Sequence, residues 1–570
     1  MSLKPKAMGS IPEMTCRIGQ QILKPENVYR QMGEKDADVV RDEDFVKMYS
    51  HLGQPAISPA RLAMVVVMQA MEGVSDRVAA EMVRTRIDWK YGLHLEVEDQ
   101  GFDASVLSEF RQRIVSQEAE RKVFDACVNR FQEEGWLKGR GLQRTDSLGV
   151  VAAVRELNRL ELVMETMRKA LEGVVEANQE WGRGVVSARW IETYETWTQG
   201  ERVVKGSGPE AKSETLRRLE AVGRDGYQLL EMIEAEGTPK AVREARGVEI
   251  LKQVWSQQYR LVNAPGVTRI ELSTVASRAQ DGVSELIQTP HDVEARYRIK
   301  RGVGQTGYTL QITEVAGEDA PAIITDVAIE AGNADDTKAV AAIHQRLTER
   351  GLTPTTHLVD SGYLSGNILV ESAQRGVELL GPLQDDSSPA AQAGLGFGLE
   401  HFDLNFETRT ATCPGGQPAA RWTPFEDVKR KRELIQIAWT AATCGRCEFR
   451  TACVSGQTGR FLKVSHRFPT INARRQYQKT PEFRQRYRRR AGIEATFSTM
   501  VNTCGARRTP YRGRHKTLVK YAALATAINL RRAIAWKTGV SPQRHRRSRL
   551  RHLLGIPQVN QSSQPEESAR

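Results

Sequence analysis

The stretch Thr306-Gly-Tyr308-Thr-Leu310-Gln-Ile312-Thr313 decides the fold. Large apolar residues alternate with polar ones at period two, the pattern of a half-buried β-strand. Ile323, Thr325, Val327 and Ile329 repeat it after a turn around Gly317–Pro321 and predict a second strand. A helix is expected from Asp335 to Arg350, with Val340, Ile343 and Leu347 on one face and Gly351 as its stop. Thr356-His-Leu-Val-Asp360 then predicts a short buried strand closed by Ser361-Gly362. Upstream, Leu142–Val151 predicts another strand with Asp146 in its middle. In the long interval between, Leu157, Leu160, Met164, Met167, Leu171 and Val174 recur at spacings of three and four, which predicts a helix-packing seam rather than a ligand site. The stretch from Gly182 to about Gly266 reads as polar and helical, with no identifiable chemistry. The order strand, helical insertion, strand, strand, helix, strand is that of an α/β domain with a mixed sheet.

Outside this block the pattern changes. Residues 1–35 are polar with scattered Pro and Gly and predict a flexible lead-in. Residues 36–138 predict an all-α N-terminal domain. Pro59 stands at a helix start, Leu62–Met71 form an apolar run, Gly73 ends it, and Ser75 and Ser105 are expected caps of later helices. Short helices of this kind serve DNA binding or dimerisation, and the sequence leaves both open.

Charge is unevenly distributed. The 570 residues carry 82 Lys+Arg and 70 Asp+Glu, a net of +12. From Thr451 to Arg570 there are 26 basic and 4 acidic residues, a net of +22, so the first 450 residues carry −10. A cationic C-terminal region on an acidic body points to a polyanionic partner. No apolar run approaches the roughly 18 residues that span a bilayer, and no signal-peptide core is evident. Seven cysteines in a chain this long do not make a secreted disulfide framework. A cytoplasmic, nucleoid-associated protein is expected.

Three acidic residues attract attention within this frame. Tyr487, Arg490 and Glu494 stand at i, i+3 and i+7 in Tyr487-Arg-Arg-Arg490-Ala-Gly-Ile-Glu494, so a continuous helix would put them on one face. Glu494 is isolated among Arg488, Arg489, Arg490, Arg507 and Arg508. It would suit either a metal site beside a DNA backbone or a plain ion pair with Arg490. Asp146 and Asp360 would meet at one sheet edge if their strands are neighbours, where ligands of α/β folds commonly bind. Carboxylates so assembled repel one another, and bound Mg²⁺ relieves that repulsion.

Four blocks in order carry a family resemblance: Gln143-Arg-Thr-Asp146-Ser, Asp292-Val-Glu-Ala-Arg-Tyr297 leading to Gly307-Tyr308, His357-Leu-Val-Asp360-Ser-Gly-Tyr363, and Arg490-Ala-Gly-Ile-Glu494. The last continues through Gly505-Ala-Arg-Arg-Thr-Pro-Tyr-Arg-Gly-Arg-His-Lys516 to Ala527-Ile-Asn529-Leu. The chain resembles the bacterial insertion-sequence DDE transposases that have an N-terminal helical domain and an interrupted ribonuclease-H-like core. The resemblance runs from about Asp42 to Trp536. It implies DNA strand cleavage and strand transfer, with Asp146, Asp360 and Glu494 catalytic and holding two Mg²⁺ (or Mn²⁺) ions. The alternatives are a catalytically inactive DNA-binding protein derived from such an enzyme, or a ribonuclease-H-like nuclease without strand transfer. It implies further that Tyr487, Arg490, Arg507, Arg508, Arg512, Arg514 and Lys516 contact DNA, namely terminal inverted repeats and target, and that the protein is a homodimer. Two departures stand out. Val501 occupies the place where such enzymes carry a Lys seven residues after the Glu, and Ser147-Leu-Gly149 is more apolar than expected. The core would comprise residues 139–155, 290–385 and 470–537, interrupted by a helical insertion at 156–289 and a cysteine-containing β-rich insertion at 386–469.

Within that second insertion, Cys413, Cys444, Cys447 and Cys453 have the number and chemistry of a tetrahedral Zn²⁺ site, with unlinked thiols as the competing reading. Residues 538–570, which include Arg544-His-Arg-Arg-Ser-Arg-Leu-Arg551, predict a flexible basic tail that either binds DNA phosphates or is merely solvated.

Overall fold

The computed structural model describes residues 1–539 except 36–38, 196–203, 205–207, 265–266, 283–284, 301, 318–319, 385–396, 429–431 and 455; beyond 539 it describes only Leu553. The expected basic tail therefore lies outside the described residues.

Among the described residues, seven α-helices precede the first strand: α1 (Glu13–Ile22), α2 (Val28–Lys35), α3 (Pro59–Glu72), α4 (Asp76–Thr85), α5 (Ile87–Gly92), α6 (Ser105–Ser116) and α7 (Lys122–Glu133). The expected lead-in is thus a correction: α1 and α2 are ordered against α5. The cause is close packing. A Cβ on Gly19 would fall 2.2 Å from the Tyr91 ring, and one on Gly33 would fall 2.6 Å from the Tyr91 carbonyl. The start and stop signals of α3 act as expected. Ser58 accepts from the Arg61 amide, Pro59 opens the helix, and Gly73 ends it at φ 68°. Ser105, by contrast, does not cap α6. It is the first helical residue, and its amide donates to Asp103 Oδ1 at 2.8 Å.

The main sheet follows. Strand β1 (Leu142–Val151) is succeeded by a separate hairpin, β2 (Tyr259–Ala264) and β3 (Val267–Leu272). Then come β4 (Arg296–Lys300), β5 (Val303–Val315), β6 (Ile324–Ala331), β7 (Thr356–Leu358) and β8 (Glu378–Leu380). The strand order is β4-β5-β1-β7-β8, with β6 also on β5. β1 runs antiparallel to β5 and parallel to β7, so the sheet is mixed. The helix Asp336–Glu349, N-capped by Asp335, buries Val340, Ile343 and Leu347. Leu62, Val65 and Met68 of α3, Ile312 of β5, and Leu524 and Ile528 of the long helix Arg514–Thr538 belong to one continuous apolar core. The N-terminal helices and the sheet are therefore joined by burial of apolar area, at about 25 cal/mol per Å².

Among the described residues, two larger apolar clusters lie apart from this core. Between β1 and β4, the helix Arg159–Ala177 contributes Leu160, Met164, Met167, Leu171 and Val174 to a cluster with Trp190, Leu229 and Trp255. Between β8 and the Glu494 helix, small sheets form around Phe402, Ile437, Trp439 and Leu462. They comprise β9 (Asp403–Asn405), β10 (Thr410–Thr412), β11 (Arg421–Asp427), β12 (Arg432–Ala438) and β13 (Phe461–Ser465).

Candidate active site and nucleic-acid face

The register of β1 and β7 places the first two carboxylates together. Arg144 pairs with Leu358, so two residues further along each strand Asp146 stands level with Asp360. Asp146 lies within β1 with its side chain 15 % exposed, and its Oδ1 accepts from the Ser147 amide at 2.8 Å. Asp360 caps the short turn Ser361–Tyr363, accepting from the Ser361 amide and hydroxyl. The third carboxylate comes from the helix Ile493–Cys504, with Glu494 in its first turn, a position the helix dipole favours for a negative charge.

The residues from Tyr487 to Glu494 do not form the single helix expected. A helix Pro481–Tyr487 ends, a 3₁₀ turn covers Arg488–Gly492, and a new α-helix begins at Ile493. The cause is remote in sequence. Arg144 Nη1 donates to the Arg489 carbonyl at 2.7 Å, and a Cβ on Gly492 would fall 2.1 Å from that same nitrogen. The break turns Arg490 inward. Its Nη2 lies 2.5 Å from Asp146 Oδ2 and 4.0 Å from Asp360 Oδ2, and its Nη1 lies 3.6 Å from Glu494 Oε1. All three expected acids therefore surround one guanidinium, although each comes from a different element. No cation is adjacent to either aspartate in sequence, so Arg490 supplies the charge from outside the sheet, and its ion pair with Glu494 is present as well. Desolvation raises the Asp146 carboxyl above its usual range, with Arg490 opposing. Burial likewise pushes the Tyr487 hydroxyl up to about 12, and its ring stacks on Phe483 at 5.4 Å.

The donors are carboxylate oxygens, the chemistry that Mg²⁺ and Mn²⁺ take. Among the described residues no three His, Cys, Asp or Glu side chains are already set to hold a metal ion. Arg490 neutralises the acids instead, so metal binding there requires the guanidinium to turn away.

One buried acid missed in the sequence reading organises the site from below. Glu314 of β5 is fully buried and accepts from Arg144 Nε at 2.8 Å, Arg532 Nη1 at 2.8 Å and Thr496 Oγ1 at 2.6 Å. It ties β1, the Glu494 helix and the long C-terminal helix to one point. Beneath Asp146, Thr145 Oγ1 bonds His357 Nε2 at 2.6 Å, and His357 Nδ1 bonds His344 Nε2 at 2.9 Å. The two departures from the family pattern are packing positions. Leu148 is buried in the core, and Val501 packs partly buried against it.

The expected DNA contacts lie beyond the carboxyl end of β1. The Val151 amide donates to the Arg507 carbonyl at 2.8 Å, which anchors the segment carrying Arg507 and Arg508. Arg507, Arg508, Arg512 and Arg514 are exposed and Lys516 is half-buried. Arg514 also reaches Glu330 at 3.5 Å.

Cys413, Cys444, Cys447 and Cys453 all line one small cavity with Phe397, Trp439 and Phe449. A Cβ on Gly415 would meet Cys447 Sγ at 3.2 Å and Cys413 Sγ at 3.8 Å, and burial raises the Cys453 thiol. Cys413 thus joins three thiols from the segment Cys444–Cys453.

Two protein-family models match parts of the chain. A family described as "Transposase DDE domain" matches residues 412–534, and one described as "Transposase domain (DUF772)" matches residues 18–113. Over these two stretches the chain is similar to transposase domains, which points to an insertion-sequence DDE transposase. The first span includes Glu494 but neither Asp146 nor Asp360. No curated protein matches the chain. Among the described residues no helix is long and apolar enough to cross a membrane.

Proposed function

We propose that the chain catalyses DNA strand cleavage and strand transfer for an insertion sequence on a ribonuclease-H-like core, with Asp146, Asp360 and Glu494 as the catalytic carboxylates. The observation that carries this reading is their assembly around Arg490 from three elements. Those three would hold two Mg²⁺ (or Mn²⁺) ions, whose chemistry in such a site is to activate the attacking oxygen and stabilise the leaving one. Asp146 is fixed by β1 and the Ser147 amide, and Asp360 by its turn, so both are oriented before substrate arrives. Arg490, once released from the carboxylates, takes a phosphate beside the scissile bond, and Tyr487 borders it. Water cuts the strand at the element end. The freed 3′-hydroxyl then attacks target DNA, and no protein–DNA covalent bond is formed. Arg507, Arg508, Arg512, Arg514 and Lys516 hold the flanking backbone. The working form is a homodimer holding two ends, associated with the nucleoid. In the same proposal Cys413, Cys444, Cys447 and Cys453 hold a structural Zn²⁺, supported by their common cavity.

The test is Mg²⁺-dependent nicking of duplex DNA carrying the inverted repeats that flank the reading frame. Asp360→Ala is expected to lower the rate by at least about a thousandfold, the scale of removing a principal catalytic group. Equal nicking by both proteins refutes the assignment.

A further inference from the structure

The β4–β5 hairpin projects from the sheet with a composition unlike an ordinary edge. From Ala295 to Gly307 there is no acidic residue, while Arg296, Arg298 and Lys300 alternate with Tyr297 and Ile299. Cross-strand pairs share a face. The register pairs Arg298 with Gln305 and Lys300 with Val303, so one face of the ribbon is basic and ends in Val303. The other carries Tyr297 and Ile299, opposite Thr306 and Gly304. Gly304 is bare for a reason: a Cβ there would fall 2.0 Å from the Tyr297 hydroxyl. Ile299 and Val303 are 67 % and 68 % exposed and Tyr297 is 44 % exposed. Apolar residues on an edge strand invite association, and a fold normally avoids or covers them.

The sheet register says what lies nearby. Arg296 pairs with Gly307, Gly307 with Val151, and Val151 bridges Arg508. One transverse row thus joins the base of the hairpin to the basic segment. That segment is tied to the residues leading into β4 as well, since the Gly513 amide donates to Asp292 Oδ2 at 3.0 Å and the Arg514 amide to Glu294 Oε2 at 2.9 Å. Asp146 pairs with Ile312, five residues back along β5, about 16 Å from this row at the rise of a strand. The hairpin tip lies a further four or five residues out, about 15 Å. Carboxylates, basic segment and hairpin therefore follow one line of about 30 Å, close to one turn of duplex DNA.

We propose that the hairpin is a DNA clamp. It enters, tip first, a groove of the duplex whose end reaches the carboxylates, with Lys300 against a phosphate and Ile299 and Val303, one on each face of the tip, between the groove walls. This rests on the DNA-transaction reading above and adds a contact roughly one helical turn inside the cut. A two-stranded ribbon fits a DNA groove, and apolar tips flanked by cations are a common means of gripping and distorting duplexes. A second copy of the chain is the poorer occupant. Three apolar side chains fall far short of the roughly 800 Å² per partner of a stable interface, and like-charged ribbons repel.

The experiment uses the full chain carrying Asp360→Ala, so that DNA stays uncut, and a duplex of about 30 base pairs, long enough to reach the hairpin. With Ile299 replaced by photoreactive benzoylphenylalanine, illumination is expected to yield a protein–DNA adduct. Lys300→Gln should reduce the slope of log affinity against log salt by about one, and Ile299→Ser with Val303→Ser should weaken binding severalfold at unchanged slope. Adducts between protein chains only, or no DNA adduct together with unaltered slope and affinity, overturn the clamp. Neither readout needs cleavage. A chain with Asp360 intact that fails to nick while Ile299 still crosslinks to DNA would refute the proposed chemistry and leave the clamp standing.

Discussion

The centre of the site illustrates how single residues settle what a motif leaves open. Glu494 could pair with Arg490 or face a metal, and the structure shows that the ion pair includes Asp146 and Asp360 too. Arg490 is thus placed to neutralise the acids and, once displaced, to meet phosphate. Directly below, His344 and His357 are both fully buried and donate or accept along a chain ending at Thr145, the neighbour of Asp146. Burial, then Arg375, holds His344 down at about 4, and burial, then His344, holds His357 well below its ordinary value. A histidine whose folded pKa is depressed binds its proton more tightly unfolded, so it favours the fold above pH 6.5 and loses that contribution as pH falls toward about 4. Thermal melts should therefore show a loss of about 2 kcal/mol near pH 5 attributable to His344. His344→Gln, which cannot titrate, should flatten the acid side of the curve. An unchanged acid limb would remove the buried neutral pair from the account.

At the scale of elements, the decisive fact is that Glu314 joins three of them. Removing its carboxylate would leave Arg144 and Arg532 facing one another in a buried site without their common acceptor. Glu314→Ala should cost about 3–5 kcal/mol, measured by denaturant unfolding, because a buried charge loses its partner. Thr496→Val, which removes the bond given to Glu314 and the one accepted from Arg532, should cost about 2 kcal/mol. Equal effects of the two would mean that Glu314 is not the brace. The strands and helix that surround this brace could be read from periodicity alone. β1, β5, β6 and the helix Asp336–Glu349 each alternate or repeat cleanly along their own sequence. What could not be read depends on partners far away. The turn Arg488–Gly492 is set by Arg144, 345 residues from the carbonyl it holds. β4 is short, cationic and exposed, so no apolar stripe announces it. α1 and α2 are ordered by glycine contacts to Tyr91 that no local pattern encodes. Asp146 and Asp360 were legible as strand residues, whereas the guanidinium between them was not.

For the molecule as a whole, the chain order poses a mechanical problem: Asp360 and Glu494 must meet although 134 positions separate them. Tyr363, Leu364, Leu369 and Leu379 still belong to the main core, but the residues beyond them build a small apolar cluster of their own around Phe402, Ile437 and Trp439, the size of core that commonly relies on a metal or disulfide. The cavity lined by Cys413, Cys444, Cys447 and Cys453 sits in this lobe, where a thiolate-bound ion would supply the missing free energy. The lobe continues into the helix Phe468–Tyr477, which is anchored to the sheet through Arg474 and the Leu379 carbonyl at 2.8 Å, and then into the turn that presents Arg490. Loosening the lobe should therefore be felt at Glu494 more than at Asp146. Purified protein is expected to contain about one zinc per chain. Chelation, or Cys444→Ala, should give an early, separate unfolding transition while the main core melts unchanged, since the two apolar clusters are distinct. Zinc-free protein with a single unaltered transition would show that the thiols staple nothing, and that Glu494 is held by the Glu314 brace alone.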